Sequence, residues 1–261
     1  MSRLGGGGMG EVYQAENTLI GRTVAIKLLR REHAKNPDVV SRFRREAMAA
    51  NLVRHPHVVD VLDVGEDDGV PFIVQEFLRG EDLGAHIENL GGRISAEATL
   101  DLLMPVIEAV ALAHSRGVIH RDIKPENVFL AREGNLIVPK LLDFGISQIR
   151  TPDNVRMTAS GIAMGTPAYM SPEQARGARE LDGRSDLWAL GMIAYEMLTG
   201  AHPFEGEAIA ELLVAILTHR IAPPTSVCPR LPPEVDDWAA RALARSRYER
   251  FPTGRELSEA L

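Results

Sequence analysis

Cysteine is nearly absent from this 261-residue chain, with Cys228 standing alone. One thiol cannot close an internal disulfide, which excludes a disulfide-stapled scaffold and fits a reducing compartment. Beside Pro229 in a loop-like stretch, Cys228 reads as incidental rather than catalytic. Lysine is scarce too: Lys27, Lys35, Lys124 and Lys140 are the whole set, and arginine carries the other basic charges. A basic excess is missing, since 29 Lys and Arg face 36 Asp and Glu for a net charge of −7. That balance argues against a general nucleic-acid or anionic-membrane binder. No apolar run reaches the roughly 18 residues a membrane span needs. The best stretch, "LLMPVIEAVALAH" from Leu102 to His114, is interrupted by Pro105 and Glu108. No His or Cys cluster has zinc spacing, no internal repeat is visible, and Met1 leads to the glycines with no secretory leader. A soluble cytoplasmic protein is the expectation. What remains is ordinary globular composition, 45% hydrophobic and 25% charged, long enough for one large domain or two lobes with separate cores.

The first thing present is glycine, in "RLGGGGMGEVYQAE" from Arg3 to Glu16. By itself this run is either a flexible linker or a phosphate cover of the pattern G-x-G-x-x-G-x-V, read as Gly5, Gly7, Gly10 and Val12. Beyond it, "EVYQAE" and "TVAIKLL" alternate with period 2 and read as strands around the turn "IGR". Val40, Phe43, Ala47 and Ala50 form a helical stripe beginning near Asp38. "VVDVLDVG" and "VPFIVQEF" read as two further strands joined by the acidic turn "EDDG". From Glu81 the pattern shifts to helices over 95–115, 185–199, 206–219 and 233–244, with the short strands "NVFLA" and "PKLLDFG" turning at Gly134-Asn135. A small β-rich lobe followed by a larger helical lobe is predicted, with the seam near residues 77–81.

"HRDIKPEN", His120 to Asn127, carries the most chemistry. Transfer of a phosphoryl group to a hydroxyl needs a carboxylate to orient the nucleophile, oxygen ligands for a divalent cation and positive charge near the phosphate. Asp122, Asn127 and Lys124 supply these three kinds of group within one loop. At this point the chain resembles the bacterial Hanks-type serine/threonine protein kinases, over essentially its whole length and with the motifs in the family's order. The resemblance implies an α+β, two-lobed protein kinase fold over 1–261: a small antiparallel β-sheet lobe with one regulatory helix over 1–78, and a larger, mainly helical lobe over 79–261. It also makes the glycines a phosphate cover, where the missing Cβ lets backbone N–H groups approach phosphate oxygens.

Residue by residue, the resemblance implies an ATP site made of Leu4, Gly5, Gly6, Gly7, Gly8, Met9 and Gly10, with Val12 and Ala25 against the adenine faces. Gln75 lies behind the adenine, the carbonyl of Glu76 takes its exocyclic amine, and the N–H of Leu78 faces the ring. Lys27 of "VAIK" holds the α- and β-phosphates and pairs with Glu46. Asp122, Lys124 and Asn127 act in catalysis, and Asn127 with Asp143 of "DFG" ligates Mg²⁺, with Mn²⁺ as the alternative. Phe144 packs against the helix that carries Glu46. Arg121 awaits a phosphate on the activation segment, at Thr158 or Ser160. Thr166 of "GTPAYMSPEQ" contacts the catalytic aspartate and lysine. Glu173 forms a buried ion pair with Arg250, and Asp186 of "SDLWALG" braces the catalytic loop.

One departure stands out: only "MSRL" precedes the glycines, which implies either a shortened edge strand or a truncated chain. Two other readings compete with this one. A pseudokinase keeps the fold without turnover, yet Lys27, Asp122 and Asp143 are all present. A small-molecule kinase of the aminoglycoside type lacks the "GTPAYMSPE" segment and the Trp188 helix that occur here. The expected partners are proteins bearing Ser or Thr, and a homodimer through the small lobe or the Glu46 helix.

Overall fold

The computed structural model describes residues 1–7, 10–144, 167–204, 206 and 208–261. Alternating side chains and turn residues build a five-stranded antiparallel sheet from β1 (Ser2–Gly6), β2 (Gly10–Asn17), β3 (Arg22–Leu29), β4 (Val61–Asp67) and β5 (Val70–Glu76). Its spatial order is β1-β2-β3-β5-β4. The glycine run is therefore no linker. Gly5 and Gly6 continue the edge strand opposite Val12 and Glu11, and the N–H of Gly7 donates to the carbonyl of Gly10 at 2.9 Å to close the hairpin. The four residues before the glycines do not leave the edge unpaired, because β1 lies alongside β2 from Ser2↔Gln14 onward.

Between β3 and β4 lies α1 (Pro37–Val53), whose start is set by Asn36: its side chain accepts from the N–H groups of Asp38 and Val39, and Pro37 occupies the first turn. The helix has two buried faces. Phe43 and Ala47 join Leu29 and Ile73 in the small core beneath the sheet. Ala49, Ala50 and Val53 belong to the large core of the helical lobe. The strand expected from Val58 begins only at Val61. Val58 instead makes a parallel bridge to Leu141, and the N–H of Val59 donates to the Leu141 carbonyl at 3.0 Å, so these two buried residues leave the small lobe's sheet for the other lobe.

The second lobe starts with a three-stranded sheet, β6 (Gly80–Asp82), β7 (Val128–Glu133) and β8 (Leu136–Leu141), turning at Gly134 with φ +62°. Around it pack α2 (Leu83–Asn89), α3 (Ala96–Ser115), α4 (Arg184–Thr199), α5 (Ile209–Thr218), α6 (Glu234–Ala242) and α7 (Gly254–Glu259). Ser95 caps α3 by accepting from the N–H of Ala98, and α4 ends at Gly200 in the left-handed region. Helix α4 is buried nearly all round, with Leu187, Trp188, Ile193 and Met197 at the centre of the large core. The long helices fall within a few residues of their expected spans. β6, α2 and α7 had too few periodic residues to be read from sequence.

Candidate active site

Strand parity places Ala25 and Lys27 on one side of β3, with Val12 directly across from Lys27 and Gln75 directly across from Ala25. Lys27 Nζ lies 2.5 Å from Glu46 Oε1 and 2.7 Å from Asp143 Oδ2. A strand, a helix and the segment after β8 thus converge on one ammonium. Burial disfavours its charge, but the two carboxylates outweigh that and hold the Lys27 pKa above its ordinary range. Two acids sharing one lysine repel each other, with unequal results. Burial, then the Asp143 charge, push Glu46 up to about 7 against the pull of Lys27. Burial works against the Asp143 charge too, but Lys27 wins there and the Asp143 pKa is lowered. The Asp143 side chain is 38% exposed, so part of the carboxylate stays accessible.

The loop from His120 to Asn127 is held from both ends. Asp186, buried at the start of α4, accepts the N–H of His120 on Oδ2 and the N–H of Arg121 on Oδ1, both at 2.8 Å. His114 Nε2 adds a third contact at 2.8 Å to Oδ2. Burial opposes the Asp186 charge, yet the His114 hydrogen bond and neighbouring donors keep its pKa below the usual carboxylate range. His120 is also buried. Its Nδ1 accepts from the N–H of Asp122, so Nε2 carries the proton and donates to the Leu142 carbonyl at 2.9 Å. Its ring lies 5.0 Å from that of Phe144, which is fully buried. Phe144 shares the large core with Ala49, Ala50 and Val53 of α1.

These bonds force Arg121 into the left-handed region at φ +69°, where a side chain rarely sits unless its surroundings over-determine it. The Arg121 Nε is buried without a hydrogen-bond partner among the described residues. Asp122 is partly exposed, with Lys124 Nζ 3.9 Å from its Oδ2. Asn127 Nδ2 donates to the Asp122 carbonyl at 2.7 Å and to Oδ2 at 3.1 Å. That leaves Asn127 Oδ1 without a protein donor among the described residues. The N–H of Leu142 donates to the Asn127 carbonyl at 2.8 Å, which sets Asn127 beside the approach to Asp143. An amide oxygen and a partly exposed carboxylate are hard donors, so the pair fits a divalent cation whose shell is completed by phosphate or water oxygens.

Glu173 and Arg250 meet in a bidentate pair, both contacts 2.7 Å, with Ser185 donating to Glu173 Oε1 at 2.7 Å. Arg250 also sits over the Trp188 ring at 4.9 Å. Gly8, Met9, Thr158, Ser160 and Thr166 lie outside the described residues. Leu4 is half exposed on β1, and Leu78 lies between β5 and β6 with Glu76 at the end of β5.

A family model described as "Protein kinase domain" matches residues 1–256. The chain belongs to the protein kinase family. It is 42% identical over 250 residues to the serine/threonine-protein kinase Pkn1 of Myxococcus xanthus, covering 95% of this chain and 35% of that protein. It is 35% identical over 254 residues to the serine/threonine-protein kinase PrkC of Bacillus subtilis, covering 97% of this chain and 38% of that protein. The chain therefore spans little more than a third of the length of these two curated relatives. Among solved structures, the kinase domain of Mycobacterium tuberculosis PknI superposes with a TM-score of 0.75 at 30% identity, covering 99% of this chain and 92% of that one.

Within this kinase domain, two site residues escaped the sequence reading. His114 looked like the end of an apolar helix; only its contact with Asp186, 72 positions away, shows what it does. Lys140 stands out in the sequence only as one of four lysines, because its partner Glu76 lies 64 positions off and no local pattern links them. No helix among the described residues is long and apolar enough to cross a membrane.

Proposed function

We propose that this domain is a serine/threonine protein kinase that transfers the γ-phosphoryl group of ATP to hydroxyls of protein Ser or Thr residues. The observation that carries the reading is Lys27 paired with both Glu46 and Asp143, because an ammonium held by two acids and still 12% exposed is placed to exchange part of that contact for phosphate oxygens. In this reading Lys27 exchanges part of its carboxylate contact for the α- and β-phosphates, while Glu46 keeps the ammonium aimed into the cleft. The glycine hairpin covers the phosphates, and Ala25, Val12, Gln75 and the backbone of 76–78 enclose the adenine. Asn127 Oδ1 and the Asp143 carboxylate would hold Mg²⁺, which when bound neutralises charge on the β- and γ-phosphates.

Asp122 accepts a hydrogen bond from the substrate hydroxyl and takes its proton late, as the hydroxyl oxygen bonds to the γ-phosphorus and the bond to the β-phosphate oxygen breaks. Asn127 keeps Asp122 oriented through the 3.1 Å contact to Oδ2, and Lys124 supports the charge on the transferring group. Arg121, held by its strained backbone with a buried Nε, is the docking group for a phosphate placed on Thr158 or Ser160.

The test is autophosphorylation with Mg²⁺ and γ-labelled ATP beside Asp122→Asn, with sites mapped by mass spectrometry. Label on the wild type, falling by about 10²–10⁴-fold in the variant, is the expected result for loss of a positioned base. A folded wild type that takes no label would turn the reading to a nucleotide-binding or scaffold module.

A further inference from the structure

Lys140 is buried, at 7% exposure, and the phosphoryl-transfer machinery makes no use of it. Its Nζ lies 2.9 Å from Glu76 Oε1. The same oxygen accepts the N–H of Asp60 at 2.9 Å, and the N–H of Glu76 in turn donates to the Asp60 carbonyl at 3.0 Å. Glu76 ends β5, one residue after Gln75 and across the sheet from Val24. Lys140 sits on β8, three positions before Asp143. That stretch of β8 is itself stitched to the approach to β4. Leu141 donates to the His57 carbonyl at 2.8 Å, and His57 Nδ1 donates to the Pro139 carbonyl at 2.8 Å. Three segments that the chain keeps far apart therefore meet at one carboxylate oxygen, where the two lobes join.

A buried ammonium paired with a carboxylate that stays 19% exposed loses hydration that an apolar side chain would not, so stability alone is a weak reason for the pair. We infer that Lys140 is a positioning residue for the adenine end of the nucleotide. By holding the Glu76 side chain it fixes the peptide of residue 76 and the backbone that follows to Leu78, the polar edge offered to the base. The inference rests on the kinase reading above and adds a residue to it. Lys140 touches neither nucleotide nor acceptor. Its effect belongs to ATP affinity and leaves the chemical step alone.

The experiment compares wild type, Lys140→Met and the double variant Lys140→Met/Glu76→Leu. It measures thermal midpoints, the Kd of a non-hydrolysable ATP analogue with Mg²⁺ by calorimetry, and kcat at saturating ATP with casein as a generic acceptor. Lys140→Met leaves Glu76 without its counter-charge, so its midpoint falls and its Kd rises by about three- to tenfold, the loss of roughly one hydrogen bond at the base. The double variant buries no unpaired charge, so its midpoint recovers while the Kd stays raised; in Lys140→Met kcat stays within about twofold of wild type, as expected when only ground-state binding is lost. A Kd that returns to the wild-type value together with the midpoint would reduce the pair to a structural one and overturn the inference. So would a Kd unchanged in Lys140→Met, or a change confined to kcat. Should the single variant fail to fold, the double variant carries the same comparison. A wild type that binds no analogue would remove the kinase reading and this inference together, whereas a binding wild type with an unaffected variant removes this inference alone.

Discussion

At the scale of single residues, the site is governed by unequal sharing of charge. Lys27 serves two carboxylates, and burial together with Asp143 pushes the Glu46 pKa up to about 7 from an ordinary value of 4.5. The folded state then holds the Glu46 proton more tightly than the unfolded chain does. Its contribution to stability is fully present below pH 4.5 and is lost as the pH rises through about 7. Glu46→Gln cannot titrate, so without nucleotide or metal its thermal midpoint should gain on the wild type between pH 5 and 8. A midpoint difference that stays flat across that range in calorimetry would sink this account. Glu173 and Asp186 behave oppositely. Burial opposes the charge of each, but Arg250 for the one and His114 for the other outweigh it, so both pKa values are lowered. Their contributions are present above the ordinary carboxylate range and disappear as acid protonates them.

At the scale of elements, the glycine hairpin separates two uses of the same residue type. A Cβ on Gly10 would lie 2.5 Å from the carbonyl oxygen of Leu28 in β3, a backbone atom that can move only by parting the strands. A Cβ on Gly7 would meet nothing within 4 Å. Gly10→Ala is therefore expected to lose about 1–3 kcal/mol in urea unfolding, the usual range for overpacking. Gly7→Ala should stay within about 0.5 kcal/mol of wild type, as surface changes do, and any effect on it should fall on nucleotide affinity. Equal losses in the two variants would contradict this division. Helix α1 shows the same economy: one face meets the small core at Phe43 and Ala47, the other meets the large core at Ala50 and Val53, and Glu46 is presented between them.

For the whole molecule, the two cores are very unequal. Leu29, Phe43, Ala47 and Ile73 are the buried centre of the small lobe, whereas the large core surrounds nearly all of α4. Amide exchange should accordingly open β1 to β3 at lower free energy than α4. Protection of the β2 amides equal to that of Ile193 would be evidence against two separable levels of stability. In the large lobe Glu173 and Arg250 tie segments 77 positions apart, Arg250 is buried, and loss of the pair should be felt globally. Arg250→Met leaves a buried carboxylate uncompensated, and denaturant unfolding should show a loss of about 3–5 kcal/mol. A loss under about 1 kcal/mol would mean that water reaches Glu173 and replaces the guanidinium.

Much of this was legible because it is local. His120 to Asn127 lie in one loop, so residue types at fixed spacing define their chemistry before any folding is known. Period-2 and period-3.6 patterns marked the strands around Lys27 and helices α1, α3 and α4, since each buries one face or, for α4, nearly all of it. Family resemblance then linked Lys27 to Glu46 and Glu173 to Arg250, pairs that local pattern alone cannot connect. Val58 and Val59 show where pattern misleads: they have strand-like side chains, but their backbone partner is Leu141, which no neighbouring residue announces. The contact of Lys140 with Glu76 and of His114 with Asp186 likewise belonged to the tertiary structure. Sequence sets what each side chain can donate, accept or bury; only the folded chain decides which distant group stands close enough to receive it.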